Sequence, residues 1–338
     1  MKALKIIGIV LLIIIVLIVI LGLIAPKGYL VERTILINAP QALVFDNVKY
    51  FKNMHKWLPW AEMDPSMQYT IEGKDGEAGS LYKWIGDPKK TGKGEMSNTG
   101  VKEGEEVTIH IKFIEPMTSE SDGYTRLTAE EGGVKVAWGF QGKSPFPWNI
   151  TYLFMNMDKM MGKDFEHGLQ LLKDLCEKEA ETIAKYQVQI IDFPAKSYAG
   201  IRQTVSFAEI HNFFIQSFNK IGLALKTGKK CKVMGAPAGL YFSWDKNAMT
   251  TDMAAAFPIK GSIDTEEIKM IEIPAGKAAM VEYYGPYSQM EPVYKALDYY
   301  LKSNKMTFKT PIIEEYLTDP AAEPDSTKWL SFVYYLIE

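Results

Sequence analysis

The sequence has few of the residues that build metal and redox sites. Its 338 residues include two cysteines, Cys176 and Cys231, and four histidines. The cysteines lie far apart and form no CxxC pair, so neither a disulfide framework nor a zinc site is indicated. The histidines match no metal-ligand spacing. There is also no P-loop, GxSxG, HExxH or dinucleotide-binding pattern, and we therefore expect no cofactor and no metal.

The chain also lacks an excess of basic charge. Its 38 lysines and arginines are outnumbered by 41 aspartates and glutamates, which gives a formal net charge of -3 at pH 7. Such a balance does not favour binding to a phosphate backbone. No helix-turn-helix pattern precedes the C-terminal half, where a transcription regulator would carry one. The sequence therefore predicts no nucleic-acid partner.

What the sequence does contain, near its start, is one long apolar run. Residues 6–25 (IIGIVLLIIIVLIVILGLIA) include no charged side chain. A helix of this length spans about 30 Å, which is the thickness of the hydrocarbon core of a bilayer. A cleaved signal peptide would have a shorter apolar core, roughly 7 to 15 residues, followed by a small-x-small cleavage site. We therefore predict an uncleaved transmembrane anchor over residues 1–28.

The charges that flank this run give a slight preference for one orientation. Lys2 and Lys5 precede the run, whereas Lys27 and Arg33 follow it with Glu32 between them. Positively charged residues tend to stay on the cytoplasmic side of a membrane. We therefore predict a single-pass membrane protein with its N-terminus inside and its domains extracytoplasmic.

Beyond the anchor, residues 29–184 have the pattern of one α+β domain. Residues 29–37 alternate apolar and polar side chains like a strand, and residues 41–58 have apolar side chains at helical spacing until Pro59, which is expected to end that helix. Residues 157–177 form an amphipathic pattern typical of a long helix. Between these helices lie strand candidates at 68–73, 79–86, 92–98, 105–116, 124–131 and 132–140. This order predicts a curved antiparallel sheet that grips a helix.

Three stretches of this half resemble a known family. They are 35–60 (ILINAPQALVFDNVKYFKNMHKWLPW), 79–86 (GSLYKWIG) and 163–175 (KDFEHGLQLLKDL). They are similar to the polyketide cyclase/dehydrase group of the START-like (SRPBCC) superfamily. The resemblance implies a helix-grip fold with a deep hydrophobic cavity between the sheet and the C-terminal helix. Because the ligands of this family vary widely, the resemblance names no ligand and assigns no catalytic residue.

Two sets of side chains are candidates for the lining of that cavity. One is the methionine cluster Met157, Met160 and Met161 at the start of the long helix. The other consists of the tryptophans Trp57, Trp60, Trp84, Trp138 and Trp148. Both sets are also typical of ordinary core and rim packing, and the sequence leaves the two interpretations open.

The second half, residues 185–338, contains an internal duplication. Residues 192–226 (beginning DFPAK) are echoed by residues 272–305 (beginning EIPAGK) at an offset of 80. Each copy has strand segments followed by a helix, and the strand candidates after the helices are 238–245, 253–259, 312–319 and 330–337. Two such units side by side predict one shared sheet with both helices on one face and a groove near the pseudo-twofold axis, which is a common place for a ligand.

Several stretches of this half match a known family. They are the duplicated Pro-Ala strands and the segments 235–245 (GAPAGLYFSWD), 284–287 (YGPY) and 313–320 (IEEYLTDP). They resemble the GyrI-like effector-binding domain, which is also found as the drug-sensing module of AraC-type and MerR-type regulators. The resemblance implies a ligand pocket with a glutamate two residues before a tyrosine on one strand. That pattern falls on Glu314 and Tyr316.

The residues themselves indicate the same position. When Pro237 is aligned with Pro311, Leu240 becomes the repeat mate of Glu314. A carboxylate at a leucine-like position either lies at an exposed edge or is a buried charge that needs a partner. A cationic or hydrogen-bond-donating ligand held between aromatic rings would supply that partner.

We hypothesise that Glu314 is the polar anchor of an aromatic pocket. Strand alternation puts Glu314 and Tyr316 on one face of the sheet and Glu315 on the other. The proposed pocket residues are Tyr283, Tyr287, Tyr316, Trp244 and Trp329. In the alternative interpretation, Glu314 is solvated and these aromatic side chains belong to the core.

An anchor followed by two ligand-binding domains predicts a membrane-anchored binding protein for hydrophobic or cationic small molecules or lipids. It would act as a sensor, scavenger or carrier. The alternative is a membrane-tethered hydrolase or cyclase that uses Glu314 as a general base, because both resemblances include enzymes. A third class is a protein-binding module whose partner is unknown.

Overall fold

The computed structural model describes residues 2–227, 231–246 and 248–338, with side chains from Lys5 onward. The chain has an α+β architecture, as predicted, and divides into two compact units, Met1–Ala180 and Glu181–Glu338. Each unit is built on its own curled antiparallel sheet.

The first unit begins with an apolar helix and contains a seven-stranded sheet. The helices are α1 (Lys2–Ile24), α2 (Gln41–Lys49), α3 (Phe51–Met54), α4 (Pro59–Met63) and the long α5 (Met157–Ala184), with a 3-10 helix at Trp148–Leu153 before α5. The strands are β1 (Gly28–Ile37), β2 (Gln68–Glu72), β3 (Leu81–Ile85), β4 (Lys93–Lys102), β5 (Glu106–Glu115), β6 (Ser119–Glu130) and β7 (Gly133–Lys143).

The strands of this sheet follow the order β1-β7-β6-β5-β4-β3-β2, so the first strand pairs with the last. Helix α5 packs on the sheet through Phe165, whose ring stacks on Trp138 of β7 with 4.0 Å between centroids. Gly168 of α5 permits this approach, because a β-carbon there would lie 2.8 Å from the Trp138 ring. The sheet therefore curls around α5 as a half-barrel.

The segment between β1 and β2 differs from the prediction. The sequence predicts one helix that ends at Pro59, whereas Pro59 is the first residue of α4, a position that proline favours. Tyr50 is extended, with φ -89° and ψ 123°. The Asp75 carboxylate accepts hydrogen bonds from the backbone N–H groups of Phe51 (2.8 Å) and Lys52 (3.2 Å). Asp75, from a distant turn, thus caps the N-terminus of α3, and the predicted single helix is divided at Tyr50.

The second unit contains a nine-stranded sheet and two helices. Its strands are β8 (Gln189–Phe193), β9 (Lys196–Ser206), β10 (Cys231–Val233), β11 (Ala238–Asp245), β12 (Thr250–Gly261), β13 (Lys269–Ile273), β14 (Gly276–Tyr284), β15 (Phe308–Tyr316) and β16 (Leu330–Ile337). Its helices are α6 (Ile210–Thr227) and α7 (Glu291–Ser303), and 3-10 turns lie at Phe207–Glu209, Tyr287–Gln289 and Ser326–Lys328.

The duplication is visible in the sheet order β13-β9-β12-β11-β15-β16-β14-β8, with β10 on β12. The first copy runs β9-α6-β11-β12 and the second runs β14-α7-β15-β16. Strands β11 and β15 are antiparallel neighbours at the centre, so the two copies meet there. Each copy also gives its leading strand to the other, because β8 pairs with β14 and β13 pairs with β9.

The N-terminal helix has the length and composition that a membrane crossing requires. In the part of the chain that the structure describes, Lys5–Ile24 is the single helix that meets this requirement. Its side chains are exposed around the whole circumference, for example Ile6 at 61% and Ile13 at 60%. Over residues 5–20 of this helix every described side chain is exposed, whereas Gly22, in its last turn, is buried.

Candidate functional site

The candidate site is built around one buried carboxyl group in the second unit. Glu314, on β15, is 2% exposed. Its Oε2 accepts hydrogen bonds from the hydroxyl groups of Tyr316 at 2.6 Å and Tyr241 at 3.4 Å. Its Oε1 accepts a hydrogen bond from the hydroxyl group of Tyr294. Three tyrosine hydroxyls therefore converge on one carboxyl group.

Each of these tyrosines comes from a different part of the fold. Tyr316 follows Glu314 by two residues on β15, so both side chains lie on the same face of the sheet. Tyr241 is on β11, which pairs with β15. Tyr294 is in the first turn of α7, the helix that packs on this face. The carboxyl group is thus enclosed between the centre of the sheet and a helix.

The adjacent acid, Glu315, points to the opposite face and has a complete set of partners. It is 8% exposed and accepts hydrogen bonds from the hydroxyl groups of Tyr198 (3.3 Å) and Tyr334 (3.0 Å). It also forms an ion pair with Lys196. Among the described residues, no lysine, arginine or histidine forms an ion pair with Glu314. The two neighbours thus have the same kind of tyrosine donors, but a protein cation is present only at Glu315.

The protonation of Glu314 reflects this environment. Burial raises the pKa of Glu314 above its usual 4.5, and the hydrogen bonds from Tyr294, Tyr316 and Tyr241 lower it by a smaller amount. Burial, followed by the negative charge of Glu314, raises the pKa values of these three tyrosines well above 10. The tyrosines are therefore neutral donors, and the ionised form of Glu314 is disfavoured unless a positive charge is supplied.

A cluster of half-buried aromatic rings, which we call the aromatic collar, is centred on Tyr316. Its members are Phe214, Phe218, Tyr287, Tyr316 and Trp329. The ring centroid of Tyr316 is 4.9 Å from that of Tyr287 and 5.7 Å from that of Phe214. Tyr287 is in turn 5.1 Å from Trp329. Burial, together with the nearby carboxylates of Asp319 and Glu314, raises the pKa of Tyr287 to about 12. The collar therefore combines aromatic faces with negative potential.

The structure brings most of the predicted pocket residues together. Tyr316 contacts Glu314 directly, and Tyr287 and Trp329 belong to the collar. Trp244 is one step removed, because its ring stacks on Tyr241 with 5.0 Å between centroids. Tyr283 is two strands from Tyr316 and makes other contacts: its hydroxyl donates to the carbonyl of Pro286 (3.0 Å), and its ring packs against Tyr186.

Two of the residues that contact Glu314, Tyr241 and Tyr294, were not predicted. Tyr294 lies four residues after Met290 and three before Leu297, which belong to the predicted apolar face of its helix, so the spacing contains a signal for it. Tyr241 is obscured by the way in which the repeats are aligned. When the alignment of the repeats is shifted by one residue, so that Pro237 falls on Ile312 instead of Pro311, Tyr241 falls on Tyr316.

The prediction that Leu240 is the repeat mate of Glu314 is wrong. Leu240 pairs with Ile313, and the residue opposite Glu314 on β11 is Gly239. A twofold axis normal to a sheet keeps side chains on the same face, and Leu240 and Glu314 are on opposite faces. The two prolines are displaced by one residue relative to this symmetry, and a one-residue shift moves every side chain to the other face.

A hydroxyl group without a protein partner lies beside this site. Ser331 of β16 is 0% exposed and is paired in register with both Tyr316 and Tyr283. Within the described residues, its Oγ has no hydrogen-bond partner. A buried hydroxyl normally has one, so Ser331 is a further group that a ligand or a water molecule can satisfy.

The first unit has a separate cavity of about 510 Å³ between its sheet and α5. The walls are mostly apolar and include Trp60, Trp84, Trp138, Met157, Met161 and Phe165. Trp57 instead packs in the core, with its indole N–H donating to the carbonyl of Asn47 (2.9 Å). Trp148 and Met160 are exposed at 69% and 56% and are not among the cavity residues. The cavity is of a size that suits a small apolar ligand.

Family models match both halves of the chain. Residues 30–177 match the model described as polyketide cyclase / dehydrase and lipid transport. Residues 186–334 match the model described as GyrI-like small molecule binding domain. Both resemblances predicted from the sequence, and their order, are confirmed.

The solved structures similar to this chain share little sequence with it. The EcmrR C-terminal domain is 20% identical to this chain, with a TM-score of 0.41. The match covers 45% of this chain and 98% of the EcmrR domain. SAV2435, solved with tetraphenylphosphonium, is 13% identical, covers 45% and 94%, and has a TM-score of 0.35. A hydrolase from Listeria innocua is 12% identical, covers 45% and 92%, and has a TM-score of 0.33. No curated protein matches the chain.

Proposed function

We propose that this chain is a membrane-anchored binding protein for hydrophobic cations. The proposal is supported by the matches of its two halves to the models for polyketide cyclase / dehydrase and lipid transport and for the GyrI-like small molecule binding domain. The second domain would bind the cation at Glu314. The apolar helix α1 would hold both domains near the lipid, where such molecules concentrate. In this proposal the chain carries out no chemical conversion of its ligand.

The observation that carries the proposal is the difference between Glu314 and Glu315. Both are buried acids with tyrosine donors, and Glu315 has Lys196 as its cation. A buried carboxylate without a cation is unfavourable in its ionised form. A ligand cation would take at Glu314 the place that Lys196 takes at Glu315. The site is therefore suited to a molecule that brings its own positive charge.

The aromatic collar determines what kind of cation fits. Aromatic faces attract cations, with a contribution of about 0.5–1 kcal/mol at exposed sites and about 2 kcal/mol when the pair is desolvated. The rings of Tyr287, Tyr316 and Phe214 also offer apolar area. A small hydrated ion gains little from such a surface, whereas a bulky organic cation gains both terms. This supports a delocalised or aryl-substituted cation as ligand.

Binding of tetraphenylphosphonium to the full chain in detergent micelles tests the proposal. We expect Glu314→Gln, which keeps the shape but removes the charge, to weaken binding by at least about tenfold, or ~1.4 kcal/mol. Glu315→Gln is the matched control, because it changes the neighbouring acid on the other face and should leave the affinity nearly unchanged. Triphenylphosphine oxide, an aryl compound without the charge, should bind weakly to both proteins. Equal affinity in wild type and Glu314→Gln would overturn the proposal.

One observation favours a second function, hydrolysis of a reactive small molecule. A carboxyl group whose pKa is raised by burial is a stronger base than an ordinary glutamate, and the hydroxyl groups of Tyr294 and Tyr316 hold the Glu314 carboxyl group in place by hydrogen bonding. Incubation with electrophilic lipophilic compounds, followed by mass spectrometry of the products, separates the two functions. Turnover that is lost in Glu314→Gln would establish the hydrolase.

A further inference from the structure

The first unit has an exposed apolar segment next to the C-terminal end of α1. Residues 144–157 (SPFPWNITYLFMNM) contain no charged side chain. Phe146, Trp148, Phe154 and Met155 are exposed at 53%, 69%, 79% and 44%. Soluble surfaces rarely place so many large apolar side chains in one short stretch, and such patches usually mark an interaction site.

This segment is fixed to α1 by a buried contact. Asn149 is 2% exposed, and its Nδ2 donates hydrogen bonds to the carbonyl oxygens of Gly22 (2.7 Å) and Ala25 (3.2 Å). The ring of Phe146 lies against Gly22, where a β-carbon would come within 2.5 Å of it. The segment is therefore held at the level of the last turn of α1.

The same end of the sheet holds the opening of the cavity in the first unit. Gly28, where β1 starts, pairs with Lys143, where β7 ends, and Ser119, where β6 starts, pairs with Phe113 near the end of β5. The β5–β6 turn at this end includes Met117, which lines the cavity and is also 75% exposed. Because Met117 both lines the cavity and is exposed to solvent, the cavity opens at this turn.

The apolar segment runs along this opening. The ring of Tyr152 packs edge-on against Tyr29, a cavity residue, with 5.5 Å between centroids. Met157, at the end of the segment, lines the cavity. The exposed aromatic side chains, the end of α1 and the cavity opening are therefore parts of one surface.

We propose that residues 144–157 are a second membrane-contact surface, which lies in the interface of the bilayer and places the cavity opening against lipid. The inference rests on the membrane anchor of the proposed function: if α1 crosses the bilayer, the residues bonded to Gly22 and Ala25 lie at the depth of the interface. Tryptophan and tyrosine are enriched at that depth, and phenylalanine is common on the apolar face of segments that lie in the interface. An apolar ligand would then pass between the lipid and the cavity without crossing water.

Fluorescence of the full chain reconstituted in phosphatidylcholine vesicles tests this surface. The lipid is brominated near the headgroup end of one acyl chain, and bromine quenches tryptophan on contact. The contribution of Trp148 is obtained as the difference between wild type and Trp148→Phe. We expect that contribution to be lost in brominated vesicles and retained in unbrominated ones.

Added tryptophans locate the cavity opening. In the Trp148→Phe background, Met117→Trp should introduce emission that brominated lipid quenches. Lys102→Trp is the matched control, because Lys102 ends β4 at the opposite end of the sheet with its side chain 71% exposed. Its emission should be the same in both kinds of vesicle.

Flotation of the protein with the vesicles reports the anchor separately. Protein that floats but shows no quenching of Trp148 would overturn the contact surface while leaving the anchor intact, and the apolar segment would then be available to a protein partner. Protein that does not float would overturn both the anchor and the inference. Quenching at Trp148 without quenching at Met117→Trp would restrict the contact to the segment and exclude the cavity opening from it.

Discussion

Gly239 lies directly opposite Glu314 on the neighbouring antiparallel strand, at the centre of the sheet where the two repeats meet. A β-carbon at Gly239 would come within 2.7 Å of the Tyr316 hydroxyl and 2.9 Å of the Phe214 ring. The absence of a side chain on β11 thus provides the space in which a carboxyl group and its tyrosine donor sit on β15. The second repeat thus contributes the acid, Glu314, and the first contributes Gly239, which leaves space for it.

Substitution Gly239→Ala should disturb the candidate site. The methyl group would displace Tyr316 and Phe214, and inserted volume in a well-packed region typically costs about 1–3 kcal/mol. We expect weaker binding of tetraphenylphosphonium together with a lower free energy of unfolding, measured by fluorescence titration and chemical denaturation. Gly222→Ala in α6 is the control, since a β-carbon there meets nothing within 4 Å. It should leave binding unchanged and stabilise the helix by about 0.5–1 kcal/mol.

The affinity for a cation should increase with pH. Burial raises the pKa of Glu314, so the free protein keeps the proton to higher pH than an ordinary glutamate does, and a cation that binds to the carboxylate must displace it. Binding should be weak at low pH, rise as the carboxyl group ionises and level off above its pKa in the free protein. Calorimetry in buffers of different ionisation enthalpy should detect the released proton in wild type and not in Glu314→Gln. A pH-independent affinity would show that Glu314 is not the cation partner.

The same pKa shift predicts how stability depends on pH without ligand. The native protein keeps its proton at Glu314 to higher pH than the unfolded chain, whose carboxyl group titrates near 4.5. The stabilisation from the neutral carboxyl group is complete below the unfolded-state pKa and is lost as pH rises through the folded-state pKa. Relative to Glu314→Gln, wild type should therefore lose stability over that window. Denaturation curves at several pH values check this, and saturating tetraphenylphosphonium should reduce the loss.

Removal of one donor should move the titration of Glu314. The hydroxyl group of Tyr294 lowers the pKa of Glu314 by hydrogen bonding, so Tyr294→Phe should raise that pKa further. The pH midpoint of cation binding should shift upward, and the affinity at neutral pH should fall. Tyr300→Phe, on the same helix but without a contact to Glu314, should leave the midpoint in place.

The cavity of the first unit should be independent of the site at Glu314. Ile109 lines this cavity from β5, and Ile109→Trp should fill part of it. We expect uptake of a pyrene-labelled fatty acid to fall while tetraphenylphosphonium binding stays unchanged. Ile114→Trp, which is on β5 but outside the lining of this cavity, is the matched control. If Ile109→Trp leaves fatty-acid uptake intact, the cavity is not where the probe binds.

The distant cap on α3 should have a measurable effect on stability. Asp75 accepts hydrogen bonds from two backbone N–H groups at the start of α3. Loss of such a cap in Asp75→Ala should cost about 1 kcal/mol in the unfolding of the first unit. Asp75→Asn keeps an acceptor oxygen and should cost less. Equal losses in the two variants would mean that the carboxylate charge, rather than the hydrogen bonds, supports this turn.

The elements that follow a local pattern were predictable from the sequence. The predicted strands 238–245 and 330–337 coincide with β11 and β16, and the apolar spacing predicts α5 and α7. The segment 41–58 was not predictable in this way, because Asp75 caps α3 from a turn more than twenty residues away. Capping by a residue distant in sequence leaves no periodic signal in the segment that it divides.

For the candidate site, the sequence alone determined that Glu314 and Tyr316 share a face and that Glu315 points away, because the two-residue period of a strand requires it. The tertiary structure decided the rest. It brings Tyr241 and Tyr294 to the carboxyl group and places Tyr283 two strands from Tyr316. It also sets Gly239 opposite Glu314 and pairs Lys196 with Glu315. These contacts depend on the register between β11 and β15 and on the packing of α7, which join residues far apart in the chain and are recorded in no local pattern.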